Sequence, residues 1–309
     1  MQKLKNYITG QWIEGNGNGI PLYNAVNGEL VAVSDTEGLN FEQALDYGRT
    51  VGYKNLSSMT FYDRGEMLKK VALYLLERKK KYYDLSYKTG ATHADSWVDI
   101  EGGFGTFFTY SGLAKRMLPN TPFWVDGETQ KISANGTFLG THILTPSEGV
   151  SVQINAYTFP VWGMLEKLST SLLAGVPSIV KPSPFGSYLT NAVFQDMIES
   201  GVLPEGALQL VCGEPGNILD YVQDGDSVLF TGSATTGRKL KSLPSVSGNS
   251  VRFNMEADSL NCSILGLDAK PGTPEFDLFI KEVRTEMTTK AGQKCTAIRR
   301  IIVPENFIG

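Results

Sequence analysis

An α/β fold built on a doubly wound parallel sheet is what the sequence predicts, and three observations carry that expectation. Between Val150 and Glu256, short apolar strands alternate with helical segments, the pattern of successive βαβ units. Two strand ends in that region, Ile179-Val180-Lys181-Pro182 and Phe230-Thr231-Gly232-Ser233, run on into helix-forming sequence. Asn135-Gly136, set among alternating polar and apolar residues, marks a β-hairpin between a helical block and the α/β block.

Bulk composition narrows the function classes. The 309 residues suit two domains or one large one, and 41% hydrophobic with 19% charged residues is the balance of a soluble globular protein. A net charge of -4, with no basic stripe interleaved with aromatics, argues against a nucleic-acid partner. Cys212, Cys262 and Cys295 are too few and too scattered for a disulfide framework. With only His93 and His142 beside them there is no zinc spacing, so no metal is expected. The first residues lack the apolar core of a signal peptide, and no stretch is long and apolar enough to span a bilayer. A reducing, cytoplasmic setting is the expectation.

Residues 1–40 are turn-rich. Tyr7-Ile8, Thr9-Gly10 and Gln11-Trp12-Ile13 predict a small hairpin that covers the body without forming a site. From Asn40 to about Met117 the pattern is helical, with Phe61, Met67-Leu68, Val71 and Leu75-Leu76 at helical spacing. Arg78-Lys79-Lys80-Lys81 is expected to close that segment as a solvated basic end. Asp95, Asp99 and Glu101 stand near one another without His or Cys, hence no metal is assigned there. Trp124 to Pro146 is the hairpin, projecting from the body, with His142 structural.

In the α/β block the predicted strands are 150–154, 178–180, 208–211, 227–230 and 251–253. The predicted helices are about 162–174, 188–200, 218–222 and 235–243. Sheets of this kind bind ligands at the carboxyl ends of their strands. Thr231, Gly232 and Ser233, with Gly237 one turn on, open a helix whose backbone N–H groups would suit a pyrophosphate, although many βα turns look alike. Lys181, just past another strand, either reaches a ribose or phosphate or is plain surface.

The apolar spacing Phe276, Phe279, Ile280, Val283, Met287 predicts a helix from about Pro274 to Lys290, ended by Gly292. Cys295 then falls in a loop ahead of a buried strand, Ile301-Ile302-Val303. A cysteine attacks as thiolate, so it needs exposure and a partner that takes its proton. A helix C-terminus disfavours the thiolate, which leaves Glu256, in Met255-Glu256-Ala257, as the candidate base. The plain alternative is that Cys295 merely packs, as free cysteines often do.

Ile154-Asn155-Ala156-Tyr157-Thr158-Phe159-Pro160, Val180-Lys181-Pro182, Phe230–Ser233, Met255-Glu256 and Gly292-Gln293-Lys294-Cys295-Thr296 occur in the order and spacing of the aldehyde dehydrogenase superfamily. The chain resembles that superfamily over nearly all its length. Thr89–Thr92, Asp95–Gly103, Val161–Lys167 and Met287–Pro304 look like one subgroup, the dehydrogenase module of the bifunctional ring-opening enzyme of phenylacetate degradation (oxepin-CoA hydrolase and semialdehyde dehydrogenase). The resemblance implies a dinucleotide-binding domain over 1–123 and 147–257 and an oligomerisation hairpin arm over 124–146. It further implies the start of a second, catalytic α/β domain over 258–309. An aldehyde, CoA-linked in the subgroup, would be oxidised to a carboxylic acid with NADP, NAD being the alternative. Cys295 would form a thiohemiacetal and then a thioester, and Glu256 would be the general base. Lys181 would contact the adenosine ribose or its 2'-phosphate, Gly232 and Ser233 would open the pyrophosphate-facing helix, and the arm would build a homo-oligomer.

Three departures from the superfamily pattern matter. Thr158 stands where most relatives carry an asparagine that donates to the developing oxyanion; losing such a donor costs roughly 100- to 1,000-fold in rate. Pro184 stands where NAD-preferring relatives commonly carry a glutamate that repels a 2'-phosphate, which favours NADP. The superfamily's catalytic domain also continues well past position 309. The competing expectation is therefore a catalytically weak dinucleotide-binding fragment that serves as a binding or assembly module.

Overall fold

The computed structural model describes residues 2–308. It opens with an antiparallel hairpin, β1 (Asn6–Ile8) and β2 (Gln11–Ile13), turned by Thr9 and Gly10, which have φ of 50° and 76°. A second hairpin follows, β3 (Ile20–Tyr23) with β4 (Leu30–Ser34). The helical block comprises α1 (Phe41–Tyr47), α2 (Tyr53–Ser57), α3 (Phe61–Leu76), α4 (Lys79–Ser86) and the long α5 (His93–Met117). Thr60 and Thr92 begin α3 and α5 with reciprocal capping boxes to Asp63 and Asp95, which satisfy the otherwise orphaned first N–H groups.

The basic run behaves differently from the sequence expectation. Arg78–Lys81 does not close α3; it leads into α4. Its four cations are all engaged. Arg78 lies 3.4 Å over the Tyr74 ring, and Lys79 pairs with Glu101 at 3.0 Å. Lys80 pairs with Asp84 at 3.0 Å and Lys81 with buried Asp196 at 2.6 Å.

The arm is β5 (Trp124–Lys131) paired antiparallel with β6 (Leu139–Leu144), and every β5 residue is exposed. Asn135-Gly136 does turn the chain, with Gly136 at φ 71°, but inside a wider loop closed by Ile132 N–H donating to the Phe138 carbonyl. His142 sits on this arm beside Asp126, 3.2 Å away.

The α/β block then runs β7 (Ser151–Ile154), α6 (Trp162–Leu173), β8 (Ser178–Lys181), α7 (Ser187–Glu199), β9 (Leu208–Leu210), β10 (Ser227–Gly232), α8 (Ala234–Lys241), the short α9 (Pro244–Gly248) and β11 (Arg252–Ala257). The segment expected as a helix over 218–222 is a single 3-10 turn, Ile218–Tyr221. Strand order is β11-β10-β7-β8-β9-β1-β2, with the first five parallel and the N-terminal hairpin added antiparallel at the β9 edge. The hairpin thus extends the sheet, where the sequence suggested only a cover.

Both faces of the central strands β7, β8 and β9 are buried, as a parallel sheet requires. In β8 the pleat sends Val180 into one core with Leu68, Phe104, Leu165 and Phe194, and Ile179 into the other with Leu45, Val152 and Phe230. Each such fully buried side chain is worth roughly 1.5–3 kcal/mol. Glycines let the helices close in: a Cβ on Gly65 of α3 would meet that of Ala114 of α5, and one on Gly102 of α5 would meet the Trp162 ring of α6.

Beyond β11 the chain forms β12 (Cys262–Ile264), α10 (Pro274–Thr288) and β13 (Arg300–Ile302), the last pairing in parallel with β12. The expected buried strand is in fact exposed, with Ile301 at 48% and Ile302 at 47%, because among the described residues its one strand partner is β12. Among the described residues no helix is long and apolar enough to cross a membrane.

Candidate active site

The carboxyl ends of β7, β10 and β11 meet the segment after α10. Leaving β7, residues 155–161 turn into α6 and carry Thr158 past the sheet edge. Parallel pairing sets Thr231 of β10 directly beside Glu256 of β11, and the Thr231 hydroxyl donates to the Glu256 carboxylate at 3.3 Å. Cys295 lies in a turn beyond α10, held by the Asn261 side-chain amide, which donates to the Cys295 and Ala297 carbonyls. Thr158, Thr231, Glu256 and Cys295 thereby line one cleft of about 520 Å³, with the Trp162 ring and buried Lys294 in its wall.

Two effects oppose thiolate formation at Cys295. Loss of solvent around the sulfur pushes the thiol above its ordinary value, and the negative charges of Glu256 and Glu166 push the same way. The backbone N–H groups of Cys295 and Thr296 pull it down, a weaker effect. Lys294 offers little relief, because its ammonium faces Glu286 at 2.6 Å, a charge contact and not an aligned hydrogen bond. The thiol of Cys212, wholly buried, is pushed up to about 12. Cys262 is exposed on β12 and does not line the cleft.

The route into the Cys295 turn departs from the simple glycine stop expected of the sequence. α10 ends at Thr288, and Lys290, Ala291 and Gly292 then take left-handed conformations in succession, with φ of 52°, 52° and 71°. Glycine accepts this freely, whereas each of the other two residues bears roughly 1–2 kcal/mol of strain. Contacts from α5 hold them. Asp95 accepts the Lys290 N–H at 2.9 Å, and the Lys290 ammonium lies 4.7 Å over the Phe159 ring. One turn further along α5, Asp99 accepts the Val161 and Trp162 N–H groups at 3.1 and 2.9 Å. Burial raises the Asp99 carboxyl to about 6, against the nearby Lys290 charge and those two hydrogen bonds. Sequence reasoning weighed these carboxylates only as metal ligands. Their i, i+4 spacing was the available signal that they face the same way.

A larger neighbouring cleft, about 980 Å³, contains Lys181, Pro184, Tyr188 and Glu214, and Thr158 lines it too. Lys181 is buried and forms no ion pair among the described residues. Burial lowers its ammonium pKa, opposed by Glu214 and the Cys212 sulfur. A buried cation without a direct ion pair fits an anionic group in this cleft. Gly232, Ser233 and Gly237 line neither cleft. Ser233 caps α8 by accepting the Thr236 N–H, and Asp258 accepts the Ala234 N–H at 3.2 Å, so the chain's own side chains occupy that helix start. Gly237 packs α8 on the sheet, where a Cβ would strike the Met255 sulfur. Arg238, Lys239 and Lys241 fall in the last turn of α8 and are exposed.

The family profile described as the aldehyde dehydrogenase family matches residues 12–308. The chain belongs to that family. A family member named 3,4-dehydroadipyl-CoA semialdehyde dehydrogenase, from Aromatoleum evansii, is 43% identical over 303 residues, which is 98% of this chain and 59% of that protein. Betaine aldehyde dehydrogenase of Bacillus subtilis is 28% identical over 97% of this chain and 59% of its own length. The chain therefore spans about three fifths of the curated aldehyde dehydrogenases it matches. A crystal structure of betaine aldehyde dehydrogenase from Staphylococcus aureus, in complex with NAD+, shares the fold with a TM-score of 0.83 at 25% identity, over 99% of this chain and 58% of that one.

Proposed function

We propose that this chain belongs to an enzyme that oxidises an aldehyde to a carboxylic acid through covalent chemistry at Cys295. The observation that carries the reading is the single cleft shared by Thr158, Thr231, Glu256 and Cys295. The Cys295 thiol passes its proton toward Glu256, and the sulfur adds to the aldehyde carbon. The resulting oxyanion is met by the Cys295 backbone N–H and the Thr158 hydroxyl. When bound, a nicotinamide supplies the oxidation by accepting hydride from that carbon, which leaves a thioester on Cys295. Glu256, oriented by Thr231, gives that first proton up to solvent, then takes a proton from water as the water attacks the thioester carbon, and returns it to the sulfur as the thiol leaves.

Lys181 would hold the anionic side of the cofactor, and Pro184 brings no carboxylate to repel a 2'-phosphate, so we infer preference for NADP over NAD. The named activity of the Aromatoleum evansii relative supports a CoA-linked semialdehyde of aromatic-acid breakdown as substrate. The fully exposed β5 strand supports pairing of the arm, residues 124–146, in a homo-oligomer. Residues 1–123 with 147–257 are assigned to cofactor binding, and 258–309 to the start of the catalytic domain.

One observation favours a second reading, a weakly active cofactor-binding piece: the raised Cys295 thiol combined with a threonine at 158. The test separates them. Cys295→Ala abolishes aldehyde-dependent NADPH formation and leaves NADP binding near normal on the first reading. A parental protein that binds NADP yet never reduces it with any aldehyde tried, CoA-linked or free, supports the second.

A further inference from the structure

Two carboxylates of α5, Asp95 and Asp99, are one helical turn apart and reach two different segments of the cleft. Asp95, buried, accepts the backbone N–H of Lys290 at 2.9 Å through Oδ1, five residues before Cys295. Its other oxygen accepts from the Thr92 N–H and hydroxyl at the helix start. Asp99, 1% exposed, accepts from Val161 and Trp162, three and four residues after Thr158. Lys290 joins the two halves: its backbone is held by Asp95, while its ammonium lies over Phe159 and attracts the Asp99 carboxylate. These contacts hold the left-handed Lys290-Ala291 pair, a conformation the two residues would not keep unaided.

We propose that Asp95 and Asp99, with Lys290 between them, are positioning residues that fix the separation of the Cys295 sulfur from the Thr158 hydroxyl. The proposal rests on the reading of Cys295 as nucleophile and Thr158 as oxyanion donor. Neither carboxylate touches the cleft's reacting atoms; α5 acts as a rigid bar with two attachment points, each on a segment that is otherwise irregular. Cys295 is already exposed, and without the bar its turn moves away from Glu256, whose charge holds the thiol up. The thiol then becomes more reactive toward a free reagent while its alignment with Thr158 is lost. A residue that only stabilised the fold would not move those two readouts in opposite directions.

The test follows the rate of iodoacetamide alkylation at Cys295 by peptide mass spectrometry, with exposed Cys262 in the same sample as the reference. In folded Asp95→Ala the Cys295-to-Cys262 rate ratio rises by roughly fivefold or more. In the same variant, kcat for aldehyde oxidation falls about 10- to 100-fold with little change in KM for the aldehyde, because Asp95 lines the Lys181 cleft and not the Cys295 cleft. Thr60→Ala weakens the equivalent cap on α3, which lines neither cleft, so its alkylation ratio stays at the parental value. An unchanged ratio in folded Asp95→Ala, or an equal rise in Thr60→Ala, overturns the proposal. If Asp95→Ala does not fold, Lys290→Met takes its place, since it removes the ammonium and leaves the backbone N–H. Lower kcat at unchanged KM for the aldehyde supports the brace, and parental kcat overturns it. The alkylation readout needs no turnover. It still decides the brace if Cys295→Ala keeps parental activity and so sinks the nucleophile reading.

Discussion

Replacing Asp99 by asparagine keeps an oxygen for the Val161 and Trp162 N–H groups and removes a charge from a site that is wholly buried. Burial raises this carboxyl from its ordinary 3.8 to about 6. A group whose folded-state pKa is raised binds protons more readily when folded. Its stabilising contribution is therefore complete below the unfolded value and is lost as pH rises through the folded one. Converted at ~1.36 kcal/mol per pKa unit, the full difference is about 3 kcal/mol, of which about 2 kcal/mol falls between pH 4.5 and 7.5. Asparagine does not titrate, so the stability of Asp99→Asn relative to the parent should improve by that amount across the window. Urea midpoints for both proteins at each pH, with the difference between them cancelling every other titrating group, give the measurement. Two curves that run parallel from pH 4.5 to 7.5 would refute the dominance of burial over the Lys290 charge at this carboxyl.

Two further outcomes follow from the charges around the clefts. Glu256→Gln removes a negative charge that holds the Cys295 thiol up, so the pH midpoint for alkylation of Cys295 should move down from the parental one; a midpoint that stays or rises would place Glu256 out of electrostatic reach. Pro184→Glu sets a carboxylate in the Lys181 cleft and should weaken NADP far more than NAD, read by titrating both at fixed ionic strength; an unchanged ratio would mean that no phosphate comes near position 184.

The parallel sheet was legible in the sequence because buried strands read as short apolar runs and three of them, β7, β8 and β10, are followed by a helix at the expected distance. Cys295 and Glu256, the chemically distinctive pair, stood out for the same reason that the cleft gathers them: each follows or ends an element that points to one edge of the sheet. What stayed hidden depended on partners distant in the chain. Nothing local announces that Lys79 would be met by Glu101 and Lys81 by Asp196. The N-terminal hairpin joins the sheet through Tyr7 beside Leu210, a pairing across some two hundred residues. The exposed Ile301 and Ile302 read as buried because apolar runs usually are, and the pattern alone does not say what covers them. The Lys290-Ala291 conformation is unreadable from residue type, since neither side chain favours it and the contacts that hold it come from Asp95 and Phe159, far off in the chain.

Covalent capture at Cys295 tests the central claim most directly. In Glu256→Gln, acylation can proceed while activation of the hydrolytic water is lost, so the thioester should accumulate. The variant is mixed with NADP and either a CoA-linked six-carbon semialdehyde or a simple aliphatic aldehyde, quenched in acid, and mapped by peptide mass spectrometry. The account predicts an acyl adduct on Cys295, stoichiometric with the NADPH formed and absent from Cys212 and Cys262. Turnover at the parental rate with no adduct, or an adduct on either of the other two cysteines, would contradict it.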